Sequence, residues 1–120
     1  MSFGTGSAAQ ILLPDIAAGS PILVRDRRIV VVGVWAESTA GAKAYLQFHG
    51  VATVGEVTAS RPAEFVLPLF PGATTVLDGY HVGIEGIAFD AGLVLATSSA
   101  ARIYTAVAAV AGSWIQLAVK

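Results

Sequence analysis

The sequence has little charge and no cysteine. Only 12% of its 120 residues are Asp, Glu, Lys or Arg, against about 25% in an ordinary soluble domain, whereas 55% are hydrophobic. A folded monomer of this mass exposes about 6,000 Å² of surface, which seven basic and eight acidic side chains do not cover. We therefore expect a surface rich in small residues, or one buried against other copies or other proteins.

Several features that the sequence lacks exclude whole classes of chemistry and of binding partner. Without cysteine there are no disulfides, no thiolate catalysis and no cysteine-ligated zinc. A net charge of −1 provides no basic field for nucleic acid or an anionic bilayer. The longest apolar run, residues 29–36, is eight residues long, well short of the ~20 that a membrane helix needs. Residues 1–10 lack the charged start and apolar middle of a signal peptide. We expect neither nucleic acid nor membrane as a partner.

Three segments alternate with the period of a β-strand. The predicted inward faces are Ala44, Leu46 and Phe48 in the first, Phe65, Leu67 and Leu69 in the second, and Ile115, Leu117 and Val119 in the third. In the second segment Pro68 cannot donate to a ladder, so we expect this strand at a sheet edge or bulged. Residues 28–38 are rich in Val and Ile, which predicts a central strand.

Further short strands are predicted between Gly, Pro, Asp and Ser turn signals. They cover residues 21–25, 51–56, 74–77, 81–89 and 93–97, whereas residues 100–111 are expected to form a loop. Short strands broken every 8 to 12 residues or so are typical of a sandwich or barrel. The sequence therefore predicts an all-β fold, a sandwich or a barrel, in one domain over residues 20–120.

Residues 1–19 have linker composition, rich in Gly, Ser and Ala. Residues 11–13, Ile-Leu-Leu, are an apolar triplet with no obvious use in a free tail. Two interpretations stay open: a disordered end, or an extended arm that becomes ordered on a neighbouring molecule.

No motif for catalysis or for cofactor binding stands out. The letters Gly-Thr-Gly-Ser-Ala-Ala at residues 4–9 match a dinucleotide fingerprint, but no strand precedes them. His49 and His81 have no partner at metal-ligand spacing, which favours solvent or interface histidines. No Gly-x-Ser-x-Gly elbow occurs. Glu37, Glu56, Glu64 and Glu85 are scattered, so a glycosidase pair stays open without positive support. We expect no catalytic residue, metal site or cofactor.

The charge cluster at residues 25–28 suggests either a solvated turn between two strands or a contact with an acidic patch on a partner. With the arm, it supplies the candidate interface residues Phe3, Ile11, Leu12, Arg27 and Arg28. Trp35 and Trp114 lie in apolar strands, where rings are more often core than sugar platforms.

A resemblance appears over residues 28–120. The pattern Gly-Ile-x-Phe-x-x-Gly-Leu at residues 86–93, a Ser/Ala/Thr-rich stretch, and Ala-Gly-Ser-Trp-Ile-Gln-Leu at residues 111–117 follow one another. This order, with a loose match at residues 44–48, resembles small β-sandwich structural proteins of tailed bacteriophages. The chain departs from them in lacking a tyrosine before the terminal lysine.

The resemblance implies an antiparallel β-sandwich of jelly-roll type and a non-enzymatic structural role, with the protein located in the virion. We expect a capsid decoration or cement protein that packs on the major capsid protein and associates with itself as a trimer or ring. Alternatives are a tail, baseplate or fibre component that contacts the host surface, or a carbohydrate-binding module. A cement protein predicts dry apolar contacts and few exposed aromatic rings, whereas a glycan binder predicts a solvent-facing cleft with Trp or Tyr and polar partners.

Overall fold

The computed structural model describes residues 9–14, 21–37, 43–77, 86–105 and 114–120. The strands are β1 (Ala9–Pro14), β2 (Ile22–Arg25), β3 (Ile29–Glu37), β4 (Ala44–His49), β5 (Phe65–Leu69), β6 (Thr74–Leu77), β7 (Ile87–Phe89), β8 (Leu93–Ser98) and β9 (Trp114–Val119). A single 3₁₀ turn at Val54–Glu56 is the only helical element of these residues. None of their helices has the length and apolar character that crossing a bilayer requires. The predicted all-β class is confirmed.

The strands form two antiparallel sheets. Sheet A has the order β1-β9-β3-β6, with β7 also paired to β3, and sheet B has the order β2-β8-β4-β5. Side chains from both sheets meet in one core, so the sheets pack face to face as a sandwich.

Strand β3 organises sheet A, as a central strand should. Strand β9 pairs along one side of it, while β6 and β7 pair with opposite ends of its other side. The register on β9 shifts between Val31 and Gly33. Such a bulge adds local twist to the strand.

The core combines inward-facing residues that alternation predicted on β4, β5 and β9 with residues of β3, β7 and β8, for which no face was predicted. The buried members are Ile29, Val31, Val34, Ala36, Leu46, Phe48, Leu67, Leu69, Phe89, Leu93, Leu95, Ile115, Leu117 and Val119. At its centre the Phe48 ring meets the Phe65 ring edge-on at 5.5 Å and stacks on the Phe89 ring at 6.1 Å. Because β7 belongs to sheet A, these rings tie the two sheets together.

Strand β5 is the edge strand of sheet B, as Pro68 predicted. The Thr75 hydroxyl on β6 donates to the Pro68 carbonyl at 3.0 Å. This bond links the edges of the two sheets on one side of the sandwich.

The strand predicted at residues 51–56 is wrong. This segment is a loop with the 3₁₀ turn, in which the Glu56 carboxylate accepts bonds from Thr53 N at 3.2 Å and Thr53 Oγ1 at 3.0 Å. A Thr three residues before a Glu satisfies the start of a helical turn, and here this local bonding outweighs the β-propensity of the valines. The strand predicted at 81–89 is found at Ile87–Phe89, while residues 81–85 lie outside the described residues.

The arm assigned to residues 1–19 needs correction at its centre. Residues 9–14 pair with β9 over their whole length, Ala9 opposite Val119 and Pro14 opposite Trp114. The apolar triplet therefore lies in an edge strand that covers β9. Residues 1–8 and 15–20 lie outside the described part of the chain.

The Gly-Ile-x-Phe-x-x-Gly-Leu pattern has a backbone explanation. Gly86 and Gly92 have φ of 79° and 146°. A Cβ on Gly86 would lie 2.5 Å from the Val31 carbonyl oxygen, and one on Gly92 would lie 2.6 Å from the Arg25 carbonyl oxygen. Only glycine tolerates both the dihedral angle and the close approach at these positions.

We predict that Leu46→Ala lowers the free energy of unfolding by about 2 to 5 kcal/mol, because it empties a fully buried position between the sheets. Lys43→Ala should cost less than about 1 kcal/mol, since Lys43 is exposed and its ammonium, 5.0 and 5.1 Å from the centroids of the Tyr45 and Phe70 rings, makes only a cation–π contact near the surface. Urea denaturation followed by circular dichroism measures both. A larger loss for Lys43→Ala would mean that the register of β4 is wrong.

A series of alanine substitutions separates backbone strain from crowding. Gly92→Ala meets both and should cost about 2 to 4 kcal/mol. Gly72→Ala, with φ of 70° but nothing within 4 Å, should cost about 1 to 2 kcal/mol. Gly55→Ala, with neither constraint, should be neutral or stabilise by up to about 1 kcal/mol. Equal losses in all three would contradict this account.

Candidate functional site

The interface residues predicted on the arm do not join those predicted on the turn. Leu12, beside Ile11 in β1, lies opposite Gln116, which in turn pairs with Trp35 of β3. Arg28 precedes Trp35 by seven residues, about 20 Å along an extended strand. Phe3 lies outside the described residues. The two groups therefore mark opposite ends of sheet A.

Arg27 and Arg28 occupy the exposed turn between β2 and β3, as the solvated-turn interpretation predicts. Arg27 Nη1 lies 3.6 Å from Asp26 Oδ1, and Arg28 Nε donates to Asp90 Oδ1 at 3.0 Å. Ion pairs this exposed contribute at most about 1 kcal/mol. A contact of these arginines with a partner stays a prediction.

A cleft of about 360 Å³ opens at the same end of the sandwich. Its lining is Gly50, Glu64, Phe65, Ile87, Ala88, Phe89, Asp90 and Ala91. Glu64 accepts a bond from Gly50 N at 2.6 Å and another from Arg61 Nη2 at 3.3 Å. Since Asp90 is paired with Arg28, both carboxylates of the cleft hold turns in place.

The other two glutamates of the described residues, Glu37 and Glu56, do not line this cleft. Glu37 accepts a bond from Thr74 Oγ1 at 3.3 Å, and Glu56 closes the 3₁₀ turn. Glu85 lies outside the described residues. Within the part of the chain that the structure describes, no three His, Asp or Glu side chains cluster as metal ligands do.

The outer face of sheet A carries the two tryptophans. Trp35, Glu37, Val76, Trp114 and Gln116 share this face, which we name the tryptophan face. Val76 and Gln116 pair with Trp35, and Trp114 pairs with Glu37, so the two indoles are diagonal neighbours. Both indoles are partly exposed and Val76 is 42% exposed. The interpretation of Trp35 and Trp114 as core residues is wrong, because each alternates out of phase with the core.

The Trp35 ring lies along its own strand. A Cβ on Gly33 would be 3.1 Å from Trp35 Cη2 and 3.5 Å from Ala118 Cβ. The ring therefore lies over Gly33, which is buried beside the equally buried Ala118. An indole placed flat on a sheet presents its other face outward, where an apolar or a sugar surface can stack.

The outer face of sheet B is covered by the chain itself. Two segments, residues 50–64 and 99–105, pass over it; we name them the cover loops. Their Val51, Val57 and Tyr104 pack on Val94 and Ala96 of β8. The loops also bond to each other, Ala63 N to the Arg102 carbonyl at 2.9 Å.

A buried polar cluster of Gln47, His49 and Ser98 lies beneath the cover loops. All three residues are 0% exposed. Gln47 Nε2 donates to the carbonyls of Ala100 and Ala101 at 3.1 and 3.0 Å. Thus a β4 side chain holds the second cover loop onto the sheet.

Ser98 binds the same loop through a single hydroxyl. Its Oγ donates to the Ile103 carbonyl at 3.2 Å and accepts bonds from Ala100 N at 3.1 Å and Thr105 N at 2.9 Å. Backbone groups that lack a strand partner are satisfied in this way, which lets an irregular segment be buried.

The expectation of a solvent or interface histidine is wrong for His49. Its Nε2 lies 2.9 Å from Gln47 Oε1. Because the Gln47 amide nitrogen donates to two carbonyls, its oxygen must accept, so the proton of His49 is on Nε2. His49 Nδ1 has no hydrogen-bond partner among the described residues.

Burial lowers the pKa of His49 below its ordinary value of 6.5. The Glu64 carboxylate opposes this shift, whereas the Arg61 guanidinium adds to it. Burial therefore favours the neutral form of the imidazole. Alternation placed Gln47 and His49 on a polar face and gave no indication that they are buried. The residues that indicate their burial are the apolar Val51, Val57 and Tyr104 of the segments that cover this face.

We predict that Gln47→Met, which keeps the length of the side chain, lowers the free energy of unfolding by about 2 to 4 kcal/mol, because it leaves buried partners without hydrogen bonds. Gln116→Met on the tryptophan face should cost less than about 1 kcal/mol, since water reaches a partly exposed position. Urea denaturation measures both. Similar losses of stability in the two variants would contradict the conclusion that the hydrogen bonds of the buried polar cluster matter more for folding than those of a partly exposed side chain.

Comparison of the chain with known protein families, with curated proteins and with solved structures gave no match.

Proposed function

We propose that this protein is a non-enzymatic structural component of a tailed-phage virion, a decoration or cement protein that packs on capsomers and on copies of itself. The observation that carries the proposal is the tryptophan face, a partly exposed sheet surface on which Glu37 is the one charged side chain among its named residues. Scarcity of charge across the sequence points the same way.

The strand order supports the jelly-roll part of the proposal. Because β6 and β7 lie end to end on β3, they count as one interrupted strand. The sheets then have four strands each. Every connection between successive strands crosses from one sheet to the other, except the connection from β4 to β5. Eight strands in two sheets, connected as Greek keys, make a jelly roll, an architecture that viral capsid domains use.

The physics of cementing needs no reactive group. A protein that binds the assembled shell but not free subunits stabilises the shell by mass action. Burying Trp35, Val76 and Trp114 against a neighbour would remove apolar surface from water, worth about 1.5 to 3 kcal/mol for each fully buried large side chain. A closed ring of copies would cover such a face without exposing a new one.

A carbohydrate-binding module is the second candidate, and one observation favours it. Trp35 and Trp114 are partly exposed together, with the Gln116 amide and the Glu37 carboxylate beside them. A glycan site requires aromatic rings that stack on a sugar and, beside them, polar groups that accept hydrogen bonds from the sugar hydroxyls. Such a site would suit a tail or fibre component that meets the host surface.

We predict that the purified protein self-associates at micromolar concentration. We also predict that it binds phage heads from which this protein is missing. The double variant Val76→Thr, Trp114→Thr should weaken both associations about 10- to 100-fold, because the lost burial amounts to a few kcal/mol. Sedimentation equilibrium and cosedimentation with the heads measure the two effects.

The matched control is Val54→Thr. Val54 is 45% exposed but lies on a cover loop, on the other side of the sandwich, so its loss should leave both associations unchanged. A wild-type protein that is monomeric, folded and unbound to heads would overturn the proposal. Calorimetric binding of a glycan that Trp114→Thr abolishes would favour the second candidate.

A further inference from the structure

The cover loops are attached to sheet B by few groups. Regular structure in the first is limited to the 3₁₀ turn, and the second has none. Side-chain bonds come from Gln47 and Ser98, and apolar contact comes from Val51, Val57 and Tyr104. Segments held by a small number of buried bonds open at lower free energy than the strands beneath them.

Among the groups of this attachment, His49 is the one whose side chain type ordinarily changes charge between pH 5 and 8. It lies at the end of β4, opposite Val94 of β8, and is fully buried. Its Nε2–H is already used by Gln47, so a second proton would have to reside on Nδ1, which faces no acceptor among the described residues.

We propose that His49 is an acid-sensitive latch that holds the cover loops closed when neutral and releases them when protonated. The proposal rests on the burial of the imidazole, its bond to the glutamine that clamps the second loop, and the unpartnered Nδ1. It concerns a different surface from the tryptophan face and holds or fails independently of the proposed virion role.

The charged groups around the latch allow this response. The first cover loop carries Glu64 and Arg61, which are paired with each other at 3.3 Å and act on the imidazole in opposite directions. The second carries the exposed Arg102 and the partly buried Tyr104, while β8 contributes the uncharged Val94 and Ala96. Glu64 is also held by Gly50 N, so reaching Nδ1 would require that turn to rearrange.

The sign of the pH dependence follows from linkage. The pKa of His49 is lowered in the closed state, so above its ordinary value near 6.5 neither closed nor open state binds a proton there. As the pH falls below about 6.5, the open state binds a proton that the closed state does not, and closure weakens by up to about tenfold per pH unit. The loss stops growing below the lowered pKa of the closed state.

Release would uncover a second apolar surface. Val94 and Ala96 lie on sheet B, and Val51, Val57 and Tyr104 lie on the loops that would leave it. A protein whose other outer face already carries partly exposed tryptophans would then offer apolar surface on both sides. Acidification would thereby increase its tendency to associate.

The test is amide hydrogen exchange by NMR at pH 7.5 and 5.5, corrected for intrinsic rates. In the wild type, protection of the Ala63, Ala100 and Thr105 amides should fall by up to about tenfold at pH 5.5, while amides of β3 and β9 keep theirs. The variant His49→Gln, which retains a donor toward Gln47 without a titratable group, should lose this pH dependence. His81→Gln is the matched control and should keep it.

The ring protons of His49 provide a second measurement that does not depend on a variant folding. Titration of the wild type should give a pKa below 6.5 for His49, accompanied by the change in loop protection. A pKa at or above 6.5, equal pH dependence in His49→Gln, or simultaneous loss of protection in all strands would each overturn the latch.

Discussion

A two-layer sandwich has four sheet faces, and covering the apolar residues on each of them is the constraint on which the rest of the structure depends. The inner faces cover each other around Phe48. The outer face of sheet B is covered by loops of the same chain. The outer face of sheet A leaves two tryptophans and Val76 partly exposed. The chain thus covers three of the four faces by itself, and the tryptophan face is the one left partly exposed.

Covering sheet B with irregular loops creates a hydrogen-bonding problem that the polar cluster solves. Loop amides and carbonyls have no ladder partners, and burying them unpaired would cost about 1 to 3 kcal/mol each. Gln47 and Ser98 together satisfy the backbone of residues 100–105 at five points. Polar residues on β4 and β8 are thus the means by which an apolar layer is completed, and the same arrangement makes one histidine sensitive to pH.

The connection between β7 and β8 illustrates how a motif can carry structural meaning without chemistry. Gly86 and Gly92 bracket the short β7, and each brings its backbone within contact of another carbonyl. Between them Phe89 reaches the core and Asp90 reaches Arg28. The pattern is what a chain needs in order to leave one sheet and enter the other within three residues.

The sequence by itself determined the all-β class, the central position of the valine-rich β3 and the inward faces of β4, β5 and β9. Alternation identifies those faces because successive side chains of a strand point to opposite sides. Pro68 placed β5 at an edge because it lacks an N–H. Alternation says which residues share a face but not what covers it. Only the tertiary structure decided that His49 and Gln47 are buried under distant loops while Trp35 and Trp114 lie outside, and that residues 9–14 pair with the strand at the other end of the chain. These outcomes depend on contacts between segments far apart in sequence, where local pattern carries no information about the partner.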